Sequence, residues 1–315
     1  MEQFVYGVDV GGTGTKIGLF NGKGFLKDTV VIETRTENKG VYILQDIKAA
    51  IFENMQKHGI TPQQVKGIGV GVPGPVLGDG TVLKCVNLGW DVFNVAKQLQ
   101  LITGLKVKAG NDANVAALGE IYRGGGQGFN NIVMVTLGTG VGGGVIINGK
   151  IFEGVTGAAG EIGHITVNPD ENDLCSCGRR GCFEQYASAT GVVKQMKKYL
   201  LTHPCESPLR NMPKYTAKEI YDEAKKGDEA ALNVVKNTGE IMGQTFAKIA
   251  CVLNPDAFVI GGGMAKAGQI IIDSLLPSFR TNVFHAAKST EFKLATLGNL
   301  AGIYGCAKMI FDDYE

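Results

Sequence analysis

The 315-residue sequence has no excess of either charge: 31 Lys and Arg stand against 30 Asp and Glu, a formal net charge of +1. Binding nucleic acid or an acidic membrane surface calls for a basic stripe, so neither partner is expected. Long apolar runs are missing as well. Stretches such as Ile132-Val133-Met134-Val135 fall far short of the roughly 18 residues of a membrane span. The opening MEQFVYGVDV lacks a basic segment followed by an apolar one, so no secretory leader is expected and the cytoplasm is the expected location. No Gly-X-Y period and no low-complexity linker runs through the chain, which excludes collagen-like and disordered architectures. The seven cysteines are odd in number and give no sign of a disulfide framework.

What the chain has in abundance is glycine. Its 46 glycines sit among residues that are 44% hydrophobic, roughly 15% of the chain and about twice ordinary usage. Ordering glycine is entropically expensive, so the excess points to tight turns and to backbone approaching a ligand closely.

Hydrophobic patterning predicts an α/β protein. Short buried strands are expected at Phe4 to Asp9, Lys16 to Phe20, Lys66 to Val72 and Leu105 to Ala109. Helices are expected over 41–58, with Leu44, Ile47, Ile51 and Met55 on one face, near 93–102, and after Asn111-Asp112. The pattern then restarts. Strand Ile132 to Thr136, a glycine-rich loop over 138–144, strand Val145 to Ile147 and turn Asn148-Gly149 mirror the opening strand, Gly11–Thr15 loop, strand and Asn21-Gly22 turn, the latter read as type I′. An internal duplication into two similar α/β domains follows. Helices are expected near 183–200, 216–226, 229–253 and 265–280, with strands at Ala257 to Ile260 and Phe292 to Thr296 and a last helix from about 300. The expected domains are 1–118 plus 300–315 and 119–299, with a hinge near 110–130.

Several residues could carry chemistry. Each Gly/Thr loop can form a nest of N–H groups for phosphate oxygens, or can be only a tight hairpin. Asp9, at a strand end before the first loop, is placed to hold Mg²⁺. Gly144 to Lys150 fits a P-loop in letters, but Ile151 replaces the required hydroxyl and no strand-to-helix turn precedes it. Gly261-x-Gly263 lacks the third glycine of a dinucleotide fingerprint; a nucleoside resting on it is the better reading. Asp112 could accept the proton of an attacking hydroxyl, or serve only as a helix cap. Glu161 and Glu184 suit sugar hydroxyls, or are solvated surface. His164 with Cys175, Cys177 and Cys182 makes the Cys₃His set of a closed, structural zinc site, leaving the second ring nitrogen of His164 free to donate.

Asp9-Val10-Gly11-Gly12-Thr13-x-x-Lys16, Asn111-Asp112-Ala113-Asn114, Thr136 to Gly144, Glu161-x-Gly163-His164 and Cys175-x-Cys177-Gly178-x-x-Gly181-Cys182-x-Glu184 occur here in one order. That order resembles the ROK family of sugar kinases and repressors, from about residue 4 to the end. With Asn87-Leu88-Gly89-Trp90, the look is nearest that family's bacterial glucokinases. The resemblance implies an actin-like ATPase (ribonuclease H-like) fold of two α/β domains with a cleft between them. It implies ATP-dependent phosphorylation of glucose at the 6-hydroxyl, with Asp112 taking the proton. Asn111, Glu161, His164 and Glu184 would hold the sugar, with Gly71 and Asn87 as further candidates. Asp9, Gly11, Gly12, Thr13, Lys16, Gly138, Thr139 and Gly140 match phosphate-binding segments, and Gly262 and Gly263 the adenosine region. ATP, Mg²⁺ and structural Zn²⁺ are implied, and a homo-oligomer, dimer or tetramer. The family's repressors carry a helix-turn-helix before the first motif; only eight residues precede Asp9, so a kinase is expected. N-acetylmannosamine, N-acetylglucosamine, mannose or fructose as the substrate, or a non-catalytic sugar sensor, are the alternatives.

Overall fold

The structure, a computed structural model, describes residues 2–314. By contact the described residues divide into two compact units, 2–130 with 144–160 and 297–314, and 131–143 with 161–296. Among the described residues no helix is long and apolar enough to cross a membrane.

The strands are β1 (Phe4–Val10), β2 (Gly14–Asn21), β3 (Leu26–Glu33), β4 (Val65–Val72), β5 (Thr81–Val82), β6 (Phe93–Asn94), β7 (Val107–Asn111), β8 (Ile132–Leu137), β9 (Val141–Ile147), β10 (Lys150–Ile151), β11 (Ala257–Gly261) and β12 (Glu291–Leu294). The helices are α1 (Glu37–Gly40), α2 (Ile43–His58), α3 (Val95–Thr103), α4 (Asp112–Arg123), α5 (Glu184–Ala187), α6 (Ala189–Thr202), α7 (Ala217–Lys225), α8 (Glu229–Leu253), α9 (Gln269–Asn282) and α10 (Ala301–Phe311). One five-stranded sheet runs in the order β3-β2-β1-β4-β7 and the other β10-β9-β8-β11-β12, so the expected duplication appears as one strand order used twice. Central strands β1 and β4 read as continuous apolar runs because both faces are covered, whereas edge strand β3 alternates.

In the first unit α2 buries Ile43, Ile47, Ile51 and Met55. Ile43 takes the deepest place at the helix start, and the expected Leu44 packs at the rim of the same core. Gly59, at φ 64°, ends that helix, donating to the Gln56 carbonyl as Ile60 donates to Met55. In the second unit the rings of Phe246, Phe258 and Phe292 stack, with centroids 4.9 Å and 5.3 Å apart for successive pairs.

Three local expectations are corrected. Gly142, Gly143 and Gly144 lie within β9, so the second loop shrinks to Gly138–Gly140. Gly144 is glycine for packing: a Cβ would stand 2.6 Å from the Ala113 carbonyl oxygen and 2.8 Å from the Ala117 methyl. At Asn21-Gly22 the left-handed residue is Gly24, at φ 77°, not Gly22. The Asn21 side chain accepts from Lys23 and Phe25 amides and sets a longer turn than type I′. The helices expected over 183–200 and 265–280 are each broken. Ser188 ends α5 and caps α6, accepting from Gly191 N, and Gly268 separates a short 3-10 turn from α9.

Much of the glycine excess is internal. A Cβ on Gly69 would lie 1.8 Å from the Cys306 carbonyl oxygen, one on Gly7 2.1 Å from that of Ile303, one on Gly119 2.1 Å from that of Ala301 and one on Gly305 1.6 Å from that of Val115. These four let α10 lie backbone-to-backbone against the first sheet and α4.

Candidate functional site

In the first unit the candidates gather where parallel strands end. Asp9 in β1 is level with Gly71 in β4, and Gly71 with Gly110 in β7, immediately before Asn111. Two strand spacings separate Asp9 from the start of α4, about 10 Å. Gly71 between them is buried, and its missing Cβ leaves room for the Val115 side chain (2.7 Å) and the Cys306 thiol (3.2 Å).

The cap of α4 is Asn111, whose Oδ1 accepts from Asn114 N at 3.1 Å. Asp112, the alternative cap in the sequence, is the first helical residue. Its Oδ1 accepts from Ala113 N at 2.8 Å and from Asn111 Nδ2 at 3.0 Å. The Asn111 amide also donates to the Gly74 carbonyl at 3.0 Å, so only a lone pair of its Oδ1 remains for a sugar. The helix N-terminus favours a negative charge at Asp112. Asp9 is raised to about 6, first by burial and then by the charge of Asp112, with Lys16 pulling the other way. Lys16 faces Asp9 across the β1–β2 ladder and donates its Nζ to the Asn299 carbonyl at 2.7 Å.

The first turn is closed by Gly11 N donating to Gly14 O at 3.0 Å, and Thr13 O accepts from Thr34 N at 3.2 Å. No group among the described residues accepts from the Gly12 and Thr13 amides or from the exposed Thr13 hydroxyl. Asn87 stands apart, exposed on a short turn that Gly89 closes at φ 72°.

In the second unit the turn between β8 and β9 repeats this design. Gly138 N donates to Gly140 O at 3.0 Å, while the Thr139 and Gly140 amides have no acceptor among the described residues. Beside it lies a cavity of about 430 Å³, lined by Thr139, Ala189, Tyr221, Gly263 and Met264, with Lys218 and Lys266 on its walls. Gly262, at φ 82°, leaves no room for a Cβ, which would stand 2.4 Å from the Leu137 carbonyl oxygen. The sequence offered no signal for Lys218 or Tyr221, which sit on an amphipathic helix outside every motif.

The metal-ligand candidates converge. One donor atom from each of His164, Cys175, Cys177 and Cys182 lies within 4.8 Å of the others. The Cys177 and Cys182 sulfurs are 3.6 Å apart, and His164 Nδ1 is 3.7 Å from the Cys175 sulfur. Tetrahedral zinc with Zn–S near 2.3 Å sets ligand atoms about 3.8 Å apart, so the donor set and its spacing fit Zn²⁺. Gly178 and Gly181, at φ 81° and 68°, make the two reversals of this loop. Thiolate is favoured at Cys177, lowered to about 6 by the Arg179 amide above all, whereas burial raises Cys182 to about 12.

With Nδ1 turned to the thiols, His164 directs Nε2 toward Glu161, 3.9 Å from Oε2. Glu161 is exposed. Glu184 is half-buried, and its Oε2 accepts from Val141 N at 3.2 Å while Oε1 accepts from the Ser176 hydroxyl at 3.1 Å. One carboxylate thus ties the metal loop to the end of the second Gly/Thr turn.

The model of the ROK family matches residues 5–313. The chain belongs to the ROK family. A glucokinase of Halalkalibacterium halodurans is 39% identical over 309 residues, spanning 96% of this chain and 94% of that one. The crystal structure of a ROK family glucokinase from Streptomyces griseus in complex with glucose and AMPPNP superposes with a TM-score of 0.73 at 32% identity, covering 97% of this chain and 98% of that one. A ROK hexokinase from Thermus thermophilus reaches 0.80 at 28% identity over 100% and 99% of the two chains. This ROK chain accordingly has the actin-like ATPase fold of the ROK sugar kinases.

Proposed function

We propose that this ROK protein phosphorylates glucose at its 6-hydroxyl with ATP, giving glucose 6-phosphate and ADP. The observation that carries the reading is the pair of hairpin turns, Gly11–Thr13 and Gly138–Gly140. Each presents adjacent amides without an internal acceptor, as binding an anionic phosphate chain requires. The relatives named glucokinase support the sugar and the donor.

In this reading the sugar 6-hydroxyl attacks the γ-phosphorus, its proton passes to Asp112, and ADP leaves. Asp112 is held by the Ala113 and Asn111 donors, which fix the direction of its carboxylate. Gly12, Thr13, Thr139 and Gly140 donate to phosphate oxygens, and the cavity beside Thr139 and Gly263 takes the adenosine. Glu161, His164 and Glu184 accept from or donate to ring hydroxyls, with Asn111, Gly71 and Asn87 as further sugar neighbours. The half-buried carboxylate of Asp9 would hold a hydrated Mg²⁺, and the charge of such an ion would offset that of the phosphates. Zn²⁺ on His164, Cys175, Cys177 and Cys182 would be structural, holding His164 and the segment leading to Glu184 in place. A homo-oligomer, dimer or tetramer, working in the cytoplasm belongs to the same reading.

A coupled ADP-release assay tests the proposal on glucose, mannose, fructose, N-acetylglucosamine and N-acetylmannosamine, with ATP, GTP and polyphosphate as donors. Highest kcat/KM with glucose and ATP is expected. Preference for an N-acetylated sugar would overturn the substrate, and sugar binding without turnover would make the protein a sensor.

A further inference from the structure

We propose that Thr190, outside every motif discussed above, is a positioning residue that sets the direction of the phosphate-binding amides in the second Gly/Thr turn. The proposal rests on the kinase reading. The Gly138–Gly140 turn is gripped from one side by the first turn of α6. Ala189 N donates to the Gly138 carbonyl at 2.8 Å, and the Thr190 hydroxyl donates to the Thr139 carbonyl at 2.5 Å. In a planar trans peptide the C=O and the following N–H point in opposite directions. Holding the Gly138 carbonyl against α6 therefore turns the Thr139 N–H away from that helix. Holding the Thr139 carbonyl does the same for the Gly140 N–H. These are the two amides that have no acceptor among the described residues, and the clamp aligns them as a pair of donors.

The two halves of the clamp differ in their dependence on sequence. The Ala189 bond is made by main chain and survives any side chain there. The Thr190 bond is made by a hydroxyl alone. Without it, the Thr139–Gly140 peptide is flanked by glycine, whose open φ and ψ allow the plane to rotate. A rotated plane would present a carbonyl oxygen, not an N–H, to a phosphate. The anchor is stable because Ser188 caps α6, accepting from Gly191 N at 3.0 Å. In the first turn the corresponding carbonyl, that of Thr13, is held by the Thr34 amide. Only the second turn depends on a side chain for this hold.

The test compares Thr190→Val, nearly isosteric but without the hydroxyl, with Thr190→Ser, which keeps it. Affinity for Mg-AMPPNP is measured by calorimetry, and KM for MgATP and for glucose by ADP release. Loss of one fixed donor to a charged group predicts an about tenfold weaker nucleotide affinity and a matching rise in KM for MgATP in Thr190→Val. Glucose KM and Tm should not move, and Thr190→Ser should bind nucleotide as the wild type does. If Thr190→Val does not fold, Thr190→Ala, favourable in a first helical turn, carries the comparison. Wild-type nucleotide affinity in the hydroxyl-free variant, or a Thr190→Ser defect as large as that of Thr190→Val, overturns the proposal and leaves the kinase reading standing. Failure of the wild type itself to bind Mg-AMPPNP overturns the kinase reading, and this proposal with it.

Discussion

Replacing Asp112 by Asn separates chemistry from architecture in this protein, because the substitution removes the charge and the basic oxygen while keeping the side-chain shape. Asn keeps an Oδ1 that can accept from Ala113 N and Asn111 Nδ2, as the carboxylate does. The helix cap belongs to Asn111 and is untouched. Loss of the negative charge at the helix N-terminus costs about 0.3–1 kcal/mol. Relief of its repulsion of Asp9 acts in the opposite direction. The two nearly cancel, so Tm should move by no more than about 3 °C. A general base contributes about 10²–10⁴ in rate, or about 3–5 kcal/mol of barrier. Coupled ADP release at saturating glucose and ATP should show kcat down by that factor, while calorimetry finds glucose affinity unchanged. Carboxyl NMR gives an independent readout: without the neighbouring charge, Asp9 should titrate below its value of about 6 in the wild type. Residual kcat above about 2% of wild type would refute Asp112 as the base, since no such catalyst is worth so little.

Three further outcomes are expected. Asp9 binds its proton more tightly folded than unfolded, a contribution to stability that is complete below 3.8 and is lost as pH rises through about 6. The ionised carboxylate then costs about 3 kcal/mol, so Asp9→Asn should raise Tm at pH 8 but hardly at pH 4, measured calorimetrically without nucleotide. Equal effects at both pH values would contradict the burial argument. Stripping zinc should raise the glucose KM by releasing His164 and the loop that holds Glu184; an unchanged KM in protein verified as zinc-free would be fatal to that link. Gly305→Ala forces a methyl to 1.6 Å from the Val115 carbonyl oxygen. Unfolding in urea should show a loss of at least about 1–3 kcal/mol, and a loss under about 0.5 kcal/mol would mean that α10 shifts freely.

The motif residues were legible because their chemistry is local. Asn111-Asp112 fall at a strand-to-helix junction whatever surrounds them, and three cysteines within eight residues can reach one ion with modest help from Gly178 and Gly181. The duplication was legible too, since two Gly/Thr hairpins in similar strand contexts repeat one local pattern. Element boundaries were less so. Gly142 to Gly144 read as loop from composition, and only the pairing of β9 between β10 and β8 in the second sheet makes them strand.

The sequence by itself determined the chemistry available: the donors for zinc, the carboxylates, the threonine and glycine amides, and the α/β alternation that places them at strand ends. Tertiary structure decided which of those groups are already committed. Asn111 spends its amide on Gly74 and Asp112, Glu184 divides its oxygens between Val141 and Ser176, and Thr190 clamps a turn about fifty residues away in the chain. It also decided what most glycines are for. A missing Cβ is the same letter whether it clears a path for phosphate or for another backbone, and only the atoms facing it, such as the Cys306 carbonyl at Gly69, tell the two apart.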